Sequence, residues 1–344
     1  MTKTMRRWSM SAIGRDNLKL ETVAIPEPGP GEIRVKVSAA SLNYRDKMVI
    51  ETGMGLTLPQ PFTPVSDMAG VIDAIGPGVS RFTAGDRVMS TFKPDWIDGP
   101  DNGNARTPAY QTTGGTYQGM LADYVVFPED WFVCSPATLD DAEASTLPVA
   151  GLTAWFALKE RDDIKAGSTV LVQGTGGVAL FGLQIAKAYG ADVFVTSRSD
   201  EKLARVKALG ADHGINSAGE DWVEAVYKLT GDRGVDHILE ISGGANLGHS
   251  LRAIAVHGRI SVIGVLEGFE VSGPVGPLLL KSPVIQGISV GHRRSFEDFV
   301  RAIDDTGIKP VIDARYKLED LQAALDHLDR GPFGKIVIDL SPAA

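Results

Sequence analysis

Residues 169–202, TVLVQGTGGVALFGLQIAKAYGADVFVTSRSDEK, decide the fold of this chain. Their first apolar run, Val170 to Val172, predicts a buried strand that ends before Gly174. The next apolar residues share the spacing of one helix face: Val178, Phe181, Gly182, Ile185 and Tyr189. Gly190 marks the end of that helix. Residues 193–196 then predict a second strand, so the order is strand, glycine turn, helix, strand.

The glycine turn in this setting predicts a dinucleotide site. Gly174, Gly176 and Ala179 form the pattern G-x-G-x-x-A, in which the first glycine makes a tight turn and the second lets the backbone approach a pyrophosphate. Gly177 and Val178 open the helix, whose N-terminal N–H groups favour an anion. The alternative is a glycine turn with a structural role only.

The end of the second strand predicts which dinucleotide binds. An NAD site places a carboxylate there, whereas this chain has Ser197, Arg198 and Ser199. Hydroxyls and a guanidinium suit the 2′-phosphate of NADPH, and Lys202 lies one helical turn further on. The alternative is that Arg198 and Lys202 are ordinary solvated charges.

Composition places the chain among soluble enzymes of a reducing compartment. Its 344 residues suggest two domains, and a net charge of −9 argues against nucleic acid and anionic membranes as partners. The single cysteine, Cys134, excludes a disulfide within the chain and is predicted to be a buried, inert thiol. Neither a targeting segment nor a membrane span is evident, so we expect a cytoplasmic protein.

The rest of the chain shows two different patterns of predicted secondary structure. Residues 5–148 show short strands and frequent turns, which predict a barrel-like β domain with a polar surface lobe at 93–119. From residue 152, strands alternate with helices and predict a doubly wound parallel sheet. Its later strands are predicted at 214–216, 235–241, 259–265 and 284–290, and its later helices at 201–209, 222–229 and 247–256. The segments after Gly291 are expected to return to the first domain: helices at 296–305 and 318–328, and strands near 312 and at 335–339.

Several segments together carry a family resemblance. They are PEPGPGEIRVKVSAASLNYRD (26–46), AGVIDAIGPGVSRFTAGDRV (69–88), LPVAGLTAWFAL (147–158), the glycine loop, and FGKIVI (333–338). In this order they resemble the medium-chain dehydrogenase/reductase superfamily, in its zinc-independent, quinone oxidoreductase-like and alcohol dehydrogenase-like branch. The resemblance covers nearly the whole chain.

This resemblance implies a fold and a reaction class. The fold is α/β, with a GroES-like β-barrel catalytic domain at 1–150, a Rossmann domain with a doubly wound parallel sheet at 151–291, and a return to the catalytic domain at 292–344. The reaction is hydride transfer, in a cleft between the two domains. Members commonly form homodimers through the last Rossmann strand, here residues 284–290.

The chain departs from the zinc members of that superfamily. Their ligands are a cysteine in the segment that aligns with residues 43–46, a His-Glu pair near 66–68, and a further cysteine or acidic residue. This chain has no cysteine at these positions and no histidine before His213. We therefore expect no zinc. Asp46 and Asp67 either hold a hard cation or belong to hydrogen-bond networks.

Loss of zinc favours some substrates over others. Reduction of a saturated ketone needs stabilisation of an alkoxide, which zinc supplies as a Lewis acid. A conjugated carbonyl or a quinone instead gives a delocalised anion that hydrogen-bond donors can support. The resemblance places Asn43 and Tyr44 at the nicotinamide, and with Asp67 they are the candidate catalytic residues. The alternatives are an asparagine in a turn and an aromatic side chain in a core.

The resemblance adds further cofactor candidates. Thr153 matches a threonine that faces the nicotinamide, and Gly264, Val265 and Leu266 follow the fifth strand. Ser217 matches a 2′-phosphate contact, and Lys335 matches a phosphate or substrate contact. The alternatives are that Thr153 and the residues after the fifth strand only pack, and that Lys335 is a solvated charge on a loop.

These expectations make the protein an NADPH-dependent oxidoreductase that acts on an α,β-unsaturated carbonyl or a quinone without zinc. Two alternatives stay open: a zinc-free alcohol dehydrogenase or carbonyl reductase, and an NADPH-binding protein with vestigial activity.

Overall fold

The computed structural model describes residues 3–340 and divides the chain into two units. One unit contains the chain up to Leu152 together with the chain from Gly291 onward, and the other contains Thr153–Val290. Within the described residues, no helix has the length and apolar character needed to cross a membrane.

The first unit begins with strands and short helices. The strands are β1 (Thr4–Met10), β2 (Leu18–Ala24), β3 (Glu32–Leu42), β4 (Asp67–Ile75), β5 (Arg87–Ser90), β6 (Tyr124–Pro128) and β7 (Phe132–Cys134). The helices are α1 (Tyr44–Thr52), α2 (Asp141–Ala144) and α3 (Leu152–Trp155), the last of which runs into the second unit.

Strand β3 organises this unit because its alternate residues face a core. Ile33, Val35 and Val37 are fully buried on one face, as the alternation of apolar and polar residues predicts. The strand pairs antiparallel with β4 and β6. Its far end, residues 39–42, pairs with the last strand of the chain.

The second unit alternates strands and helices. The strands are β8 (Thr169–Gln173), β9 (Asp192–Ser197), β10 (His213–Asn216), β11 (Val235–Glu240), β12 (Ile254–Val262) and β13 (Val284–Gly287). The helices are α4 (Gly177–Ala188), α5 (Asp200–Ala208), α6 (Trp222–Thr230), α7 (Asn246–Ala253) and α8 (Val275–Lys281).

These strands form a parallel sheet in the order β10-β9-β8-β11-β12-β13 across the described residues. The order reverses between β8 and β11, which is the point where doubly wound sheets bind ligands at the carboxyl ends of their strands. Leu171, Ile238 and Ile260 are fully buried in the sheet and give this unit its core.

The chain after Gly291 returns to the first unit. It forms α9 (Arg293–Thr306), β14 (Ile312–Lys317), α10 (Leu321–Asp329) and β15 (Lys335–Asp339). Strand β15 pairs antiparallel with β3, and β14 pairs parallel with β15. The fold is the α/β architecture expected, with a GroES-like domain and a Rossmann-type parallel sheet.

Some predicted boundaries were wrong. The helix predicted at 247–256 ends at Ala253, because Ile254 instead starts β12 and pairs with Val235. Strand β12 therefore begins five residues before Arg259, with a bend at His257, whose φ is 61°. Strand β13 ends at Gly287, three residues before Val290.

Cys134 is a further correction. It was predicted to be buried, but it is exposed at the end of β7. Strand β7 is short, and only its first two residues, Phe132 and Val133, are buried. Partial burial and the charge of Asp86 raise the pKa of the Cys134 thiol.

Candidate active site

The glycine loop after β8 has the backbone geometry of an anion site. Gly174 has a φ of 80°, which glycine adopts without strain, and its N–H donates to Thr196 O at 2.8 Å. Gly176 is the N-cap of α4 and has no side chain that could accept hydrogen bonds. The first N–H groups of this helix are therefore left for a ligand. A Cβ at Gly176 would meet no atom within 4 Å, which leaves open space beside these donors. The loop fits a pyrophosphate.

The residues predicted to bind a 2′-phosphate lie together at the ends of β9 and β10. Ser197 ends β9, and its carbonyl oxygen accepts a hydrogen bond from Ser217 N at 3.0 Å. Ser197 Oγ accepts from Ser199 N at 3.2 Å, and Ser199 in turn caps α5. Ser197 and Ser217, both of which the sequence analysis proposes as 2′-phosphate contacts, therefore lie next to each other.

Arg198 is exposed at this edge and forms no ion pair with any residue in 3–340. The nearby carboxylate of Asp200, which could have neutralised it, accepts a hydrogen bond from Asn216 Nδ2 at 2.6 Å. Lys202 is half-buried in the first turn of α5. The edge thus presents a cation and serine hydroxyls to an incoming phosphate.

The loops that follow β11 and β12 touch each other through their backbones. Gly243 and Gly244 both have positive φ, and a Cβ on Gly243 would meet Gly264 O at 2.6 Å. A Cβ on Gly264 would lie 1.7 Å from Ile241 O, so this position accepts only glycine. Glu267 N donates to Ser242 O at 2.8 Å and joins the two loops further.

Glu240, at the end of β11, fixes these loops and was not anticipated from the sequence. Its carboxyl group is fully buried and accepts hydrogen bonds from the Ser242 and Gly243 N–H groups at 3.1 and 3.0 Å. Side chains donate to it as well: Gln173, Asn246 and Ser250. The one sequence signal for this role of Glu240 was the position of a carboxylate at the end of a predicted strand.

The remaining cofactor candidates of the second unit differ in exposure. Thr153 is buried in α3. Val265 is half-buried and Leu266 is 57% exposed in the loop after β12. The structure therefore places Gly264, Val265 and Leu266 beyond the carboxyl end of the fifth strand, as expected.

Asn43 is the centre of a polar cluster in the first unit. It follows β3 directly and caps α1, and its N–H donates to the Asp46 carboxylate at 2.8 Å. Asn43 is 9% exposed, while Asp46 is fully enclosed. Burial raises the pKa of Asp46 to about 6, against the opposing charge of Arg45.

Lys335, at the start of β15, belongs to this cluster and not to a loop. Its Nζ donates to Leu42 O at 2.7 Å and to Asn43 Oδ1 at 2.6 Å. The expectation of a solvated loop charge is wrong, because pairing of β15 with β3 buries this side chain. Burial lowers the pKa of Lys335, and the charges of Asp67 and Asp46 oppose that shift.

Asp67 closes the cluster on its other side. Its Oδ1 accepts from Ser66 Oγ at 2.6 Å, and its Oδ2 accepts from Val149 N at 3.1 Å. Asn43 Nδ2 reaches Ser66 Oγ at 3.5 Å. Burial raises the pKa of Asp67, while the charge of Lys335 and hydrogen bonds from Asn43 and Ser66 lower it.

Tyr44 differs from its neighbours because it is 42% exposed at the start of α1. Its hydroxyl makes no hydrogen bond with the residues that the structure describes, and Lys47 Nζ lies 5.6 Å from its ring centre. The alternative of an aromatic side chain in a core is wrong for Tyr44. The hydroxyl is available to a ligand.

Comparison with known proteins identifies the family of this chain. Residues 29–137 match the alcohol dehydrogenase GroES-like domain, and residues 177–305 match the zinc-binding dehydrogenase family. A zinc-type alcohol dehydrogenase-like protein of Schizosaccharomyces pombe is 38% identical, over 95% of this chain and 96% of its own. The quinone oxidoreductase of Rattus norvegicus is 30% identical, over 94% of both chains. A crystal structure of a Sinorhizobium meliloti 1021 protein is 66% identical, with a TM-score of 0.97 over 99% of this chain and 100% of that one.

The chain belongs to the medium-chain dehydrogenase/reductase superfamily. It is an NAD(P)H oxidoreductase of the quinone oxidoreductase-like or alcohol dehydrogenase-like kind. Members of this superfamily bind a nicotinamide dinucleotide, and the glycine loop and β9 end are the parts of this chain that fit one.

The name of one matching family raises the question of zinc. Zinc sites in proteins combine thiolate, imidazole and carboxylate ligands. In this medium-chain dehydrogenase/reductase, the corresponding segments offer the amide of Asn43 and the carboxylates of Asp46 and Asp67, with the Lys335 ammonium group at the same amide. Across residues 3–340, His, Cys, Asp and Glu side chains nowhere gather in a group of three or more that could hold a metal ion. These residues do not fit zinc.

Proposed function

We propose that this protein is an NADPH-dependent reductase of α,β-unsaturated carbonyl compounds or quinones that works without a catalytic metal. The observation that carries the proposal is the Asn43 amide. It is nine-tenths buried, its oxygen accepts from the Lys335 ammonium group, and its NH₂ group is held beside Ser66 and Asp67. Such a donor suits an oxyanion that develops during reaction.

The nicotinamide, when bound, supplies a hydride equivalent to the substrate. Hydride arriving at the β carbon of an enone leaves an enolate, whose charge is shared between oxygen and the α carbon. The Asn43 NH₂ group is one candidate donor to that oxygen, and the exposed Tyr44 hydroxyl is the second. Protonation at the α carbon then gives the saturated carbonyl compound.

A saturated ketone places a larger demand on this site. Its reduction localises the whole charge on one alkoxide oxygen, which zinc would stabilise as a Lewis acid. An amide N–H and a hydroxyl are weaker substitutes for an ion. The residues of this chain therefore favour the conjugated substrate, and the zinc-free alcohol dehydrogenase or carbonyl reductase is the second candidate.

The preference for NADPH rests on the end of β9. Arg198 is exposed and unpaired within residues 3–340, and Asp200 is held by Asn216. A carboxylate at the position of Ser197 would repel a 2′-phosphate, whereas a serine hydroxyl donates to it.

Replacement of Arg198 tests this preference. The Arg198→Ala variant should bind NADPH more weakly by about 1 to 3 kcal/mol, the contribution of one charge-assisted contact, with little change for NADH. Calorimetric titration of both cofactors measures the difference. Lys207→Ala, an exposed lysine further along α5, is the control and should change neither affinity. Equal losses for the two cofactors would exclude Arg198 from the 2′-phosphate site.

We also propose a homodimer that forms through β13. This strand is at the edge of the parallel sheet, and its Val284 and Ile285 side chains are exposed. Helix α8, which precedes it in the chain, exposes Leu279 and Leu280, the latter by 84%. An unpaired strand edge with apolar neighbours is a ready surface for a second copy of the same strand.

Sedimentation measures that assembly. The protein should sediment with the mass of two chains, and Ile285→Lys should shift it to one, because a charge at the centre of the interface must be desolvated on association. A wild-type protein that stays monomeric at high concentration would contradict the dimer.

A reducing, cytoplasmic compartment fits the single cysteine in the sequence.

A substrate panel tests the proposed reaction. Chelator-treated protein is assayed for NADPH and NADH oxidation with a quinone, an enone, an enal and a saturated ketone, and for oxidation of an alcohol. Turnover of the conjugated acceptors with NADPH is the expected result. Turnover of only the alcohol or the saturated ketone would overturn it in favour of the second candidate. Tight NADPH binding without any turnover would support a binding protein of vestigial activity.

A further inference from the structure

The parallel sheet of the second unit opens between β8 and β11. Backbone pairing of these two strands ends at Val172 and Leu239. On the other side of each strand, pairing with β9 or β12 continues through Gln173 of β8 and Glu240 of β11. The two strands therefore separate at Gln173 and Glu240, which is the point where the strand order reverses. A dinucleotide lies across a crevice of this kind, with one half on each side.

Side chains continue the contact where backbone pairing of these strands stops. Gln173 Nε2 donates to Glu240 Oε2 and to Ser250 Oγ, both at 2.9 Å. Gln173 Oε1 accepts from Ile241 N at 3.1 Å and from Ser242 N at 3.4 Å. The glutamine side chain is buried and the Glu240 carboxyl group is fully buried, so water competes little for these contacts. The last residue of β8 is thus joined to the far side of the crevice.

The partners of Gln173 fix its amide and use all of its hydrogen-bonding groups. A carboxylate accepts only, so the atom of Gln173 that faces Glu240 is its nitrogen. A backbone N–H donates only, so the atom that faces Ile241 is the oxygen. Both N–H groups and both lone pairs of the amide oxygen then have partners. Gln173 has no group left for a ligand, and its role lies in what it holds together.

The segments that Gln173 joins are the two walls of the crevice. Gly174 follows Gln173 directly and opens the glycine loop, and its own N–H donates to Thr196 O on the β9 side. Ser242 and Gly243 open the loop after β11 and donate to Glu240. The Gln173 side chain therefore sets the distance between the loop that fits a pyrophosphate and the loop on the opposite wall.

We infer that Gln173 is a positioning residue, which together with Glu240 sets the width of the crevice that the dinucleotide spans. The inference rests on the proposed function to the extent that this crevice is the cofactor site. It depends neither on the substrate nor on the choice between NADPH and NADH. It requires that a ligand spanning the crevice depend on Gln173, while a ligand bound to one wall does not.

Loss of the Gln173 amide tests this difference between ligands. Gln173→Leu removes its hydrogen bonds at similar volume, so the Kd for NADPH should rise about tenfold, because the walls must then be ordered on binding. Adenosine 2′,5′-bisphosphate has the 2′-phosphate but lacks the nicotinamide half, and its Kd should stay the same. Calorimetric titration measures both ligands, and circular dichroism checks that the variant is folded. Equal weakening of the two ligands, or unchanged NADPH affinity, would overturn the inference.

The matched control makes the same substitution elsewhere in the second unit. Gln184 lies on α4, and its side-chain oxygen has no hydrogen-bond partner within the described residues. Gln184→Leu should change neither Kd. A loss of NADPH affinity as large as that of Gln173→Leu would show that the effect is general to the unit and would contradict a specific role of Gln173.

A paired replacement decides the inference even if Gln173→Leu does not fold. Gln173→Glu places a second carboxylate against Glu240, and the like charges repel, so the Kd for NADPH should rise more than about tenfold. Addition of Glu240→Gln restores one amide and one carboxylate in exchanged positions. The double variant should bind NADPH within about threefold of wild type, since the two changes are coupled. A double variant as weak as Gln173→Glu would contradict the role of this contact.

These measurements separate the inference from the proposed function. Binding is measured without substrate, so absence of enone turnover would contradict only the proposed reaction. If wild type bound NADH and not NADPH, the preference for NADPH would be wrong. The same comparison with NADH and 5′-AMP would then decide the role of Gln173: weakening of NADH alone supports it, and equal weakening of both overturns it.

Discussion

Alanine in place of Asn43 is expected to lower kcat for a conjugated carbonyl by about 10²- to 10³-fold. That is the usual effect of the loss of one donor aimed at a developing oxyanion in an enclosed site. The Kd for NADPH should stay the same, because the residues that fit the dinucleotide belong to the glycine loop and the end of β9. Stopped-flow measurement of a single turnover separates the chemical step from binding.

The comparison with Tyr44 makes this prediction specific. Tyr44→Phe removes a neutral hydroxyl at an exposed position, so its effect on kcat should not exceed about tenfold. Tyr124→Phe on β6 is the matched control for that change and should have no effect. If Asn43→Ala retained nearly full kcat while Tyr44→Phe did not, the donor role would belong to the tyrosine.

Alanine at Glu240 is expected to cost about 4 kcal/mol of unfolding free energy. The carboxyl group is fully buried and accepts from two backbone N–H groups and three side chains. Each donor that loses its partner in the interior costs about 1 to 3 kcal/mol, with partial relief from relaxation and water. The loops of Gly243 and Gly264 should also loosen, so binding of the dinucleotide should weaken.

Chemical denaturation with a fluorescence readout measures that loss. Glu224→Ala, at an exposed position on α6 of the same unit, is the control and should stay within about 0.5 kcal/mol of wild type. A Glu240→Ala variant as stable as Glu224→Ala would mean that water replaces the carboxylate at no cost. The network would then have no structural role.

The sequence was most informative where the spacing of apolar residues and the spacing of glycines predict the same strands and helix. The limits of β8, α4 and β9 follow from residues 169–197 to within one or two positions, because a buried strand and an amphipathic helix each have a fixed repeat. Strand β15 was also predicted correctly. Helix α7 was placed too long because Ile254–Val256 continue its apolar pattern, and only pairing with β11 makes them a strand.

The polar contacts could not be predicted in the same way. Lys335 and Asn43 are 292 positions apart, and nothing local distinguishes Lys335 from a lysine at the solvent edge of a strand. Burial of that lysine depends on the antiparallel pairing of β15 with β3, which is a long-range event. Glu240 was missed for a similar reason, since its donors come from β8, α7 and the loop between β11 and α7.

The central claim is that hydride from NADPH goes to the β carbon of a conjugated carbonyl compound. The most direct test is to find where a deuterium label on that hydride ends up in the product. Chelator-treated enzyme is supplied with NADPH that carries deuterium at the transferred position and with an enone, and the product is examined by NMR. We predict one deuterium at the carbon β to an intact carbonyl group. Deuterium on a carbinol carbon, formed by reduction of the carbonyl itself, would contradict the proposed reaction.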